Sequence, residues 1–151
     1  MVFRRVSGMA YDFQLTVDCA DPHVLAEWWA DALGWLVEPS DEDFIRRMVA
    51  IGAASEDDTI THRGVLVWKV GAAIRHPDGI EPRRRVLFQL VPEAKTVKNR
   101  VHLDVWVGAD NVDAEMARLT AAGAQFLHRG SQGPHGWVTL ADPEGNEFCI
   151  T

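Results

Sequence analysis

FQLTVDCADPHVLAEWWADALGWLVE, residues 13–38, and VHLDVWVGADNVDAEMARLTAAGAQFLH, residues 101–128, share one rhythm. Each opens with strict alternation of apolar and polar residues, the mark of a half-buried strand. A capping signal follows: Asp21 before Pro22 in the first stretch, Asp110 and Asn111 in the second. Proline at the first helical position loses no needed N–H, and an acidic or amide side chain caps the orphan donors behind it. Helical stripes come next, Leu25, Trp28, Trp29, Ala32 and Leu33 in one copy and Val112, Met116, Leu119 and Ala122 in the other. Gly34 and Gly123 then stop the helices. One strand–helix unit is written twice.

Working outward, short strands complete each copy. The pattern predicts strands at 35–38, 65–70 and 86–91 in the first half, and at 124–128, 137–141 and 146–150 in the second. Residues 41–58 interrupt this order, and DFIRRMVAIGA (43–53) reads either as an extra helix or as an irregular strand. The fold class expected is therefore α+β: two tandem βαβββ modules forming a curved mixed sheet around a pocket, with helices on the outer face. Residues 1–10 read as an N-terminal extension, and residues 11–151 as a single domain. Module one spans 11–92, a polar linker 93–98, and module two 99–151.

The parity of the strands separates two faces. Leu15, Val17 and Cys19 oppose Gln14, Thr16 and Asp18, and Phe88 and Leu90 oppose Leu87, Gln89 and Val91. Leu103, Val105 and Val107 oppose His102, Asp104 and Trp106. Phe148 and Ile150 oppose Glu147, Cys149 and Thr151. The first-named set in each strand is apolar and suits the underside of a helix. The second is mixed and polar, as the lining of a cavity must be.

Composition narrows the function. With 151 residues, 47% hydrophobic and 25% charged, the chain can bury an ordinary core. Its net charge of −7 argues against a nucleic-acid partner. Arg83, Arg84 and Arg85 form its densest basic run, a solvated strand edge or a lure for an anionic substrate. No apolar stretch is long enough to cross a bilayer, and MVFRR lacks the apolar core of a secretory signal, so a cytoplasmic location is expected. Cys19 and Cys149 show no paired spacing and read as free thiols. Phosphate-cradle, dinucleotide, serine-hydrolase and paired-cysteine zinc motifs are absent.

KNRVHLDVWV (98–107) and the closing ADPEGNEFCIT (141–151) resemble the glyoxalase-like branch of the vicinal oxygen chelate superfamily, which includes glyoxalase I, extradiol dioxygenases and bleomycin-resistance proteins. The resemblance covers residues 11–151 apart from 41–58. It implies a ligand position on the first and last strand of each module, here Gln14, Gln89, His102 and Cys149. Two of these depart from glyoxalase I, where glutamates are usual. Gln89 brings no charge, and Cys149 brings one only as a thiolate, from an ordinary pKa of roughly 8.5. The same glutamates move the substrate proton, so ordinary glyoxalase I activity is disfavoured and no catalytic residue is assigned.

His102 is the first choice for a single metal ligand and Glu147 a weaker second, two residues from Cys149 and roughly 6.5–7 Å along the strand. Asp104, with Asp18 in a related position, reads as structural, and Trp106 as an aromatic wall or as packing. Trp28 and Trp29 read as core, and His135 and Trp137 as a surface turn. The pocket set is thus Gln14, Gln89, His102, Asp104, Trp106, Glu147 and Cys149. The function expected is binding of a small organic molecule without the usual glyoxalase I metal site and with no assigned cofactor. The alternative is a metal-assisted lyase, isomerase or dioxygenase using His102 and a divalent cation. A homodimer is the expected assembly.

Overall fold

The computed structural model describes residues 13–78 and 85–151, so the expected N-terminal extension, Arg83 and Arg84 lie outside the described residues. Among the described residues, ten strands and three α-helices follow in order. β1 is Leu15–Cys19, α1 Pro22–Leu33, β2 Leu36–Val37, α2 Glu42–Ala50, β3 Thr59–His62, β4 Val65–Trp68, β5 Gly71–Arg75 and β6 Arg85–Leu90. The second half has β7 Asp104–Val105, α3 Val112–Ala121, β8 Gln125–Gln132, β9 His135–Ala141 and β10 Glu147–Ile150.

Two four-stranded sheets result, ordered β1-β6-β5-β2 and β7-β10-β9-β8. In each, the module's first and last strands pair in parallel, β1 with β6 and β7 with β10, and the rest are antiparallel. The sheets are curved, mixed and not closed, and the βαβββ plan is repeated as the sequence leads one to expect.

Local chemistry explains the helix ends. The Asp21 carboxylate accepts a hydrogen bond from the Val24 N–H at 3.1 Å, with Pro22 opening α1. Gly34 closes it at φ 65°, a left-handed conformation that costs glycine little. The second helix departs from expectation. A turn of 3-10 helix covers Ala109–Asn111, and Asn111 donates through Nδ2 to the Val107 carbonyl at 2.9 Å rather than capping α3. Residues 43–53 resolve mainly as helix, within α2, which Asp41 caps by accepting from the Phe44 N–H at 2.8 Å.

One strand assignment is corrected. Val65–Trp68 pairs with Thr59–His62 in a separate hairpin, and the module's third strand is Gly71–Arg75. GAAIR lacks the run of large apolar residues that usually marks a strand. Small residues are what the position requires, because β5 lies under α1 with Ala72 and Ile74 facing the core. A Cβ on Gly71 would sit 3.2 Å from the Phe88 carbonyl oxygen. The hairpin is tied back to α1 by Glu27, which accepts from His62 Nε2 at 2.9 Å and from the Arg63 guanidinium at 2.7 and 3.0 Å. Burial works against that carboxylate, but the Arg63 and His62 hydrogen bonds hold its pKa below the ordinary value.

A single core joins the halves. Leu25, Ala26 and Trp29 of α1 pack with Ile74 and Phe88 of the first sheet, and with Leu119, Val138, Leu140, Phe148 and Ile150 of the second. Trp29 and Phe148 meet edge to face with centroids 4.9 Å apart. The polar end of Trp29 is also used: its Nε1–H donates to the buried Asp142 carboxylate at 2.9 Å. Asp142 further accepts from the N–H groups of Glu144 and Asn146 and from the Asn146 amide. Glu144 of the same turn crosses in the same sense, accepting from the Ala20 and Asp21 N–H groups at 2.7 and 2.9 Å. Trp29→Phe removes the donor to a buried anion together with part of the ring's packing. It is expected to cost about 1.5–3 kcal/mol in urea unfolding; a change below about 0.5 kcal/mol contradicts this role for the bond.

Candidate functional site on the second sheet

The second sheet's inner face carries a row of polar side chains in register. Asp104 on β7 opposes Cys149 on β10, Cys149 opposes Thr139 on β9, and Thr139 opposes His128 on β8 beyond a bulge at 126–128. Directly opposed residues share a face, so the four side chains stand side by side. His102, two residues before Asp104, joins them, its Nε2 lying 3.3 Å from Asp104 Oδ1. The ligand atoms of His102, Asp104 and Cys149 all lie within 4.8 Å of one another. Cys149 Sγ is 3.5 Å from Thr139 Oγ1. A cavity of about 390 Å³ covers this row, completed by Lys98, His135 and Trp137.

Trp137 reaches its place because its neighbour is small. Gly130 opposes it across β8–β9, and a Cβ there would fall 2.4 Å from the indole. Only glycine leaves room for the ring to lie across the strand.

The other residues of the expected set are distributed differently. Glu147 lines the same cavity but turns away from the cluster, accepting from the Asn99 N–H at 3.0 Å, with Lys95 Nζ 3.3 Å away. Burial opposes its ionisation, yet these partners hold its pKa below the ordinary value. Trp106 is 86% exposed and flanks a neighbouring hollow beside Gly108, Arg129 and Trp137.

Gln89 lies on the first sheet and Gln14 just before its first strand, and the register sets them apart from the cluster. Asp18 opposes Gln89 as Asp104 opposes Cys149, so Thr16 stands to Gln89 as His102 stands to Cys149. Gln14 lies two residues further along, roughly 6.6 Å away. Its side-chain oxygen accepts from Arg85, which Glu38 also grips at 2.8 and 2.9 Å. His128, Thr139 and Lys98 were not singled out by the sequence. Parity along β9 and β10 marks Thr139, but the bulge at 126–128 breaks the parity that would have marked His128.

The family model described as "Glyoxalase-like domain" matches residues 14–151. The chain belongs to the glyoxalase-like domain family. Solved structures share its fold. A manganese(II) complex of the fosfomycin resistance protein FosX from Listeria monocytogenes, a variant bound to 1S,2S-dihydroxypropylphosphonic acid, aligns with TM-score 0.61 at 10% identity, over 97% of this chain and 92% of that one. A glyoxalase/bleomycin resistance protein/dioxygenase family enzyme from Burkholderia phytofirmans PsJN gives 0.58 at 14% identity, over 91% and 94%. The oxidase ChaP-H2 gives 0.56 at 16%, over 94% and 93%. No curated protein sequence matches. At these identities the glyoxalase-like fold is shared, and the residues must speak for the chemistry.

Cys19 is buried, and its pKa is pushed up to about 12 by burial first, then by Glu144, Asp21, Asp18 and Asp142. Being raised in the folded state, it contributes stability that is full below the ordinary thiol pKa and is lost as pH rises from there toward 12. Cys149, although also buried, lines the cavity. Iodoacetamide at pH 8 is expected to modify Cys149 in the folded protein and Cys19 only after unfolding. Mass spectrometry of the digested adducts checks this, and folded-state labelling of Cys19 at an equal rate contradicts it.

Proposed function

We propose that this glyoxalase-like protein binds a small polar organic molecule on the inner face of its second sheet, without the four-position metal cage of glyoxalase I. One observation carries the reading. A cavity of about 390 Å³ holds an ordered row of hydrogen-bonding groups, Asp104, Cys149, Thr139 and His128, beside the Trp137 ring. That volume lies within the range for small-molecule sites, about 300–1,000 Å³, which pair a few placed polar groups with aromatic walls. The usual cage is disfavoured because Gln14 is held by Arg85 and the Gln14–Gln89 spacing does not match the His102–Cys149 spacing.

Among the fold neighbours, a fosfomycin resistance protein and an oxidase suggest the probes. Fosfomycin, 1S,2S-dihydroxypropylphosphonic acid, catechol and a methylglyoxal–thiol adduct, each added to chelator-treated protein, test the site by amide chemical-shift mapping. Shifts are expected to centre on residues 102–104, 139 and 149. His102→Ala is expected to weaken the best ligand about tenfold, the loss of one hydrogen bond to a charged or polar group. No shift with these probes or with a broad fragment library ends this reading.

The binding groups are too open to enclose a ligand alone, with the His102 and Asp104 side chains 46% and 57% exposed. Bound small molecules usually lose about 70–90% of their surface to the protein. A second copy laid over this face, with Trp106 at its centre, supplies the missing wall and makes the working form a homodimer. Sedimentation equilibrium is expected to show a dimer that Trp106→Asp dissociates. A wild-type monomer at every concentration rules the dimer out and leaves the cavity reading to the shift data.

A further inference from the structure

We propose that the cavity between the added hairpin and the first sheet is a second ligand site, one that takes a neutral hydroxyarene: a flat apolar ring with a phenolic hydroxyl. The inference is independent of the second-sheet cavity, with which this one shares no lining residue. Gln14, Gln89, His102 and Cys149 take no part in it either.

The hairpin builds one wall. His62 opposes Val65 across β3–β4, and Val67 lies two residues further along β4, so the three side chains share a face. On the sheet side, Ala73 of β5 is paired with Leu87 of β6. All five residues line a cavity of about 510 Å³, a volume that suits a small organic molecule. Small residues help to open it, since Gly71 and Ala73 stand where larger strand residues would fill the space. Val37, Val65 and Val70 are exposed around it. Apolar side chains gathered in the open at a hollow mark a site of interaction.

Hydrogen bonds decide the polar group of the ligand. The Glu27 carboxylate, gripped by Arg63, can only accept, so His62 Nε2 carries the hydrogen of their 2.9 Å bond. The Trp68 carbonyl likewise only accepts, so His23 Nε2 donates to it at 2.9 Å. In each neutral ring Nδ1 is then left as an acceptor, and neither has a partner among the described residues. The two imidazoles stack with centroids 5.0 Å apart, and both line the cavity. Stacked rings favour a flat aromatic guest over an aliphatic chain.

Charge decides the rest. Glu27 meets Arg63, and Glu38 grips Arg85 at 2.8 and 2.9 Å, so two carboxylates and two guanidiniums around the cavity cancel. Gln14 engages Arg85 further. A charged ligand drawn into this apolar hollow loses water without gaining a counter-ion, which is costly. A neutral molecule avoids that cost, and a hydroxyl donor matches the bare imidazole nitrogen.

Titration of the full chain with 2-naphthol near pH 7, followed by amide chemical-shift mapping, tests the proposal. Saturable shifts are expected to centre on residues 62, 67, 73 and 87. Naphthalene is expected to bind about tenfold more weakly, the loss of one hydrogen bond, and 2-naphthoate not to saturate the site. His62→Gln keeps a donor for Glu27 but removes the Nδ1 acceptor. It is expected to weaken 2-naphthol about tenfold and to leave naphthalene unchanged, a split that mere loosening of the hairpin does not produce. Leu87→Trp, which fills the cavity from the sheet side, is expected to abolish binding of both. Shifts centred on residues 102–149 overturn the proposal, as does equal binding of naphthalene or 2-naphthoate, or the lack of any saturable shift. The wild-type map decides the matter even if a variant fails to fold. Shifts at residues 102–104, 139 and 149 with the other probes report the second-sheet cavity separately, so either reading can fail alone.

Discussion

The buried carboxylate of Asp142 is the joint on which the two halves turn. It lies in the second module, between β9 and β10, yet one of its donors is the Trp29 indole of the first module's helix. Its remaining hydrogen bonds close its own turn through Glu144 and Asn146. A buried anion left without partners is costly, so the carboxylate holds the turn and the foreign helix together. Glu144 answers from the same turn by accepting the N–H groups of Ala20 and Asp21, where α1 begins. One five-residue turn thus sets where β10 starts and how α1 lies across both sheets.

From that joint the geometry of the site follows. β10 runs parallel to β7, and their register brings Cys149 opposite Asp104. The outward residues Phe148 and Ile150 go to the core beneath the helices, which leaves the intervening thiol facing the cavity. Trp28, Trp29 and Phe148 form one aromatic cluster on the outer side of the same strand. Packing on one face and polar chemistry on the other are two consequences of one strand alternation.

Much of this was legible in the sequence, because the informative signals are local. The Asp21–Pro22 start, the glycine stop at 34 and the DPEGN run each act within a few residues. The strand faces followed from parity alone, and burial agrees along β1 and β6. What was not legible depends on tertiary company. Gly71–Arg75 reads as a weak strand because tertiary neighbours choose its small residues, the Phe88 carbonyl at Gly71 and the core at Ala72. Asp104 read as structural because sequence cannot show that Cys149 stands opposite. The likeness of Gln14 to His102 comes from counting back from the helix, whereas the sheet counts from the register of the last strand. These two origins differ by one inward position.

The unequal loading of the two sheets has an evolutionary meaning. A gene that doubles a βαβββ unit starts with two equivalent inner faces, each able to carry the chemistry. Here the second face has gathered histidines, an aspartate and a thiol, while the corresponding row of the first reads Asp18, Gln89 and Gly71. The added helix and hairpin at residues 42–68 sit in the first module, outside the strands whose register aligns the second sheet's row.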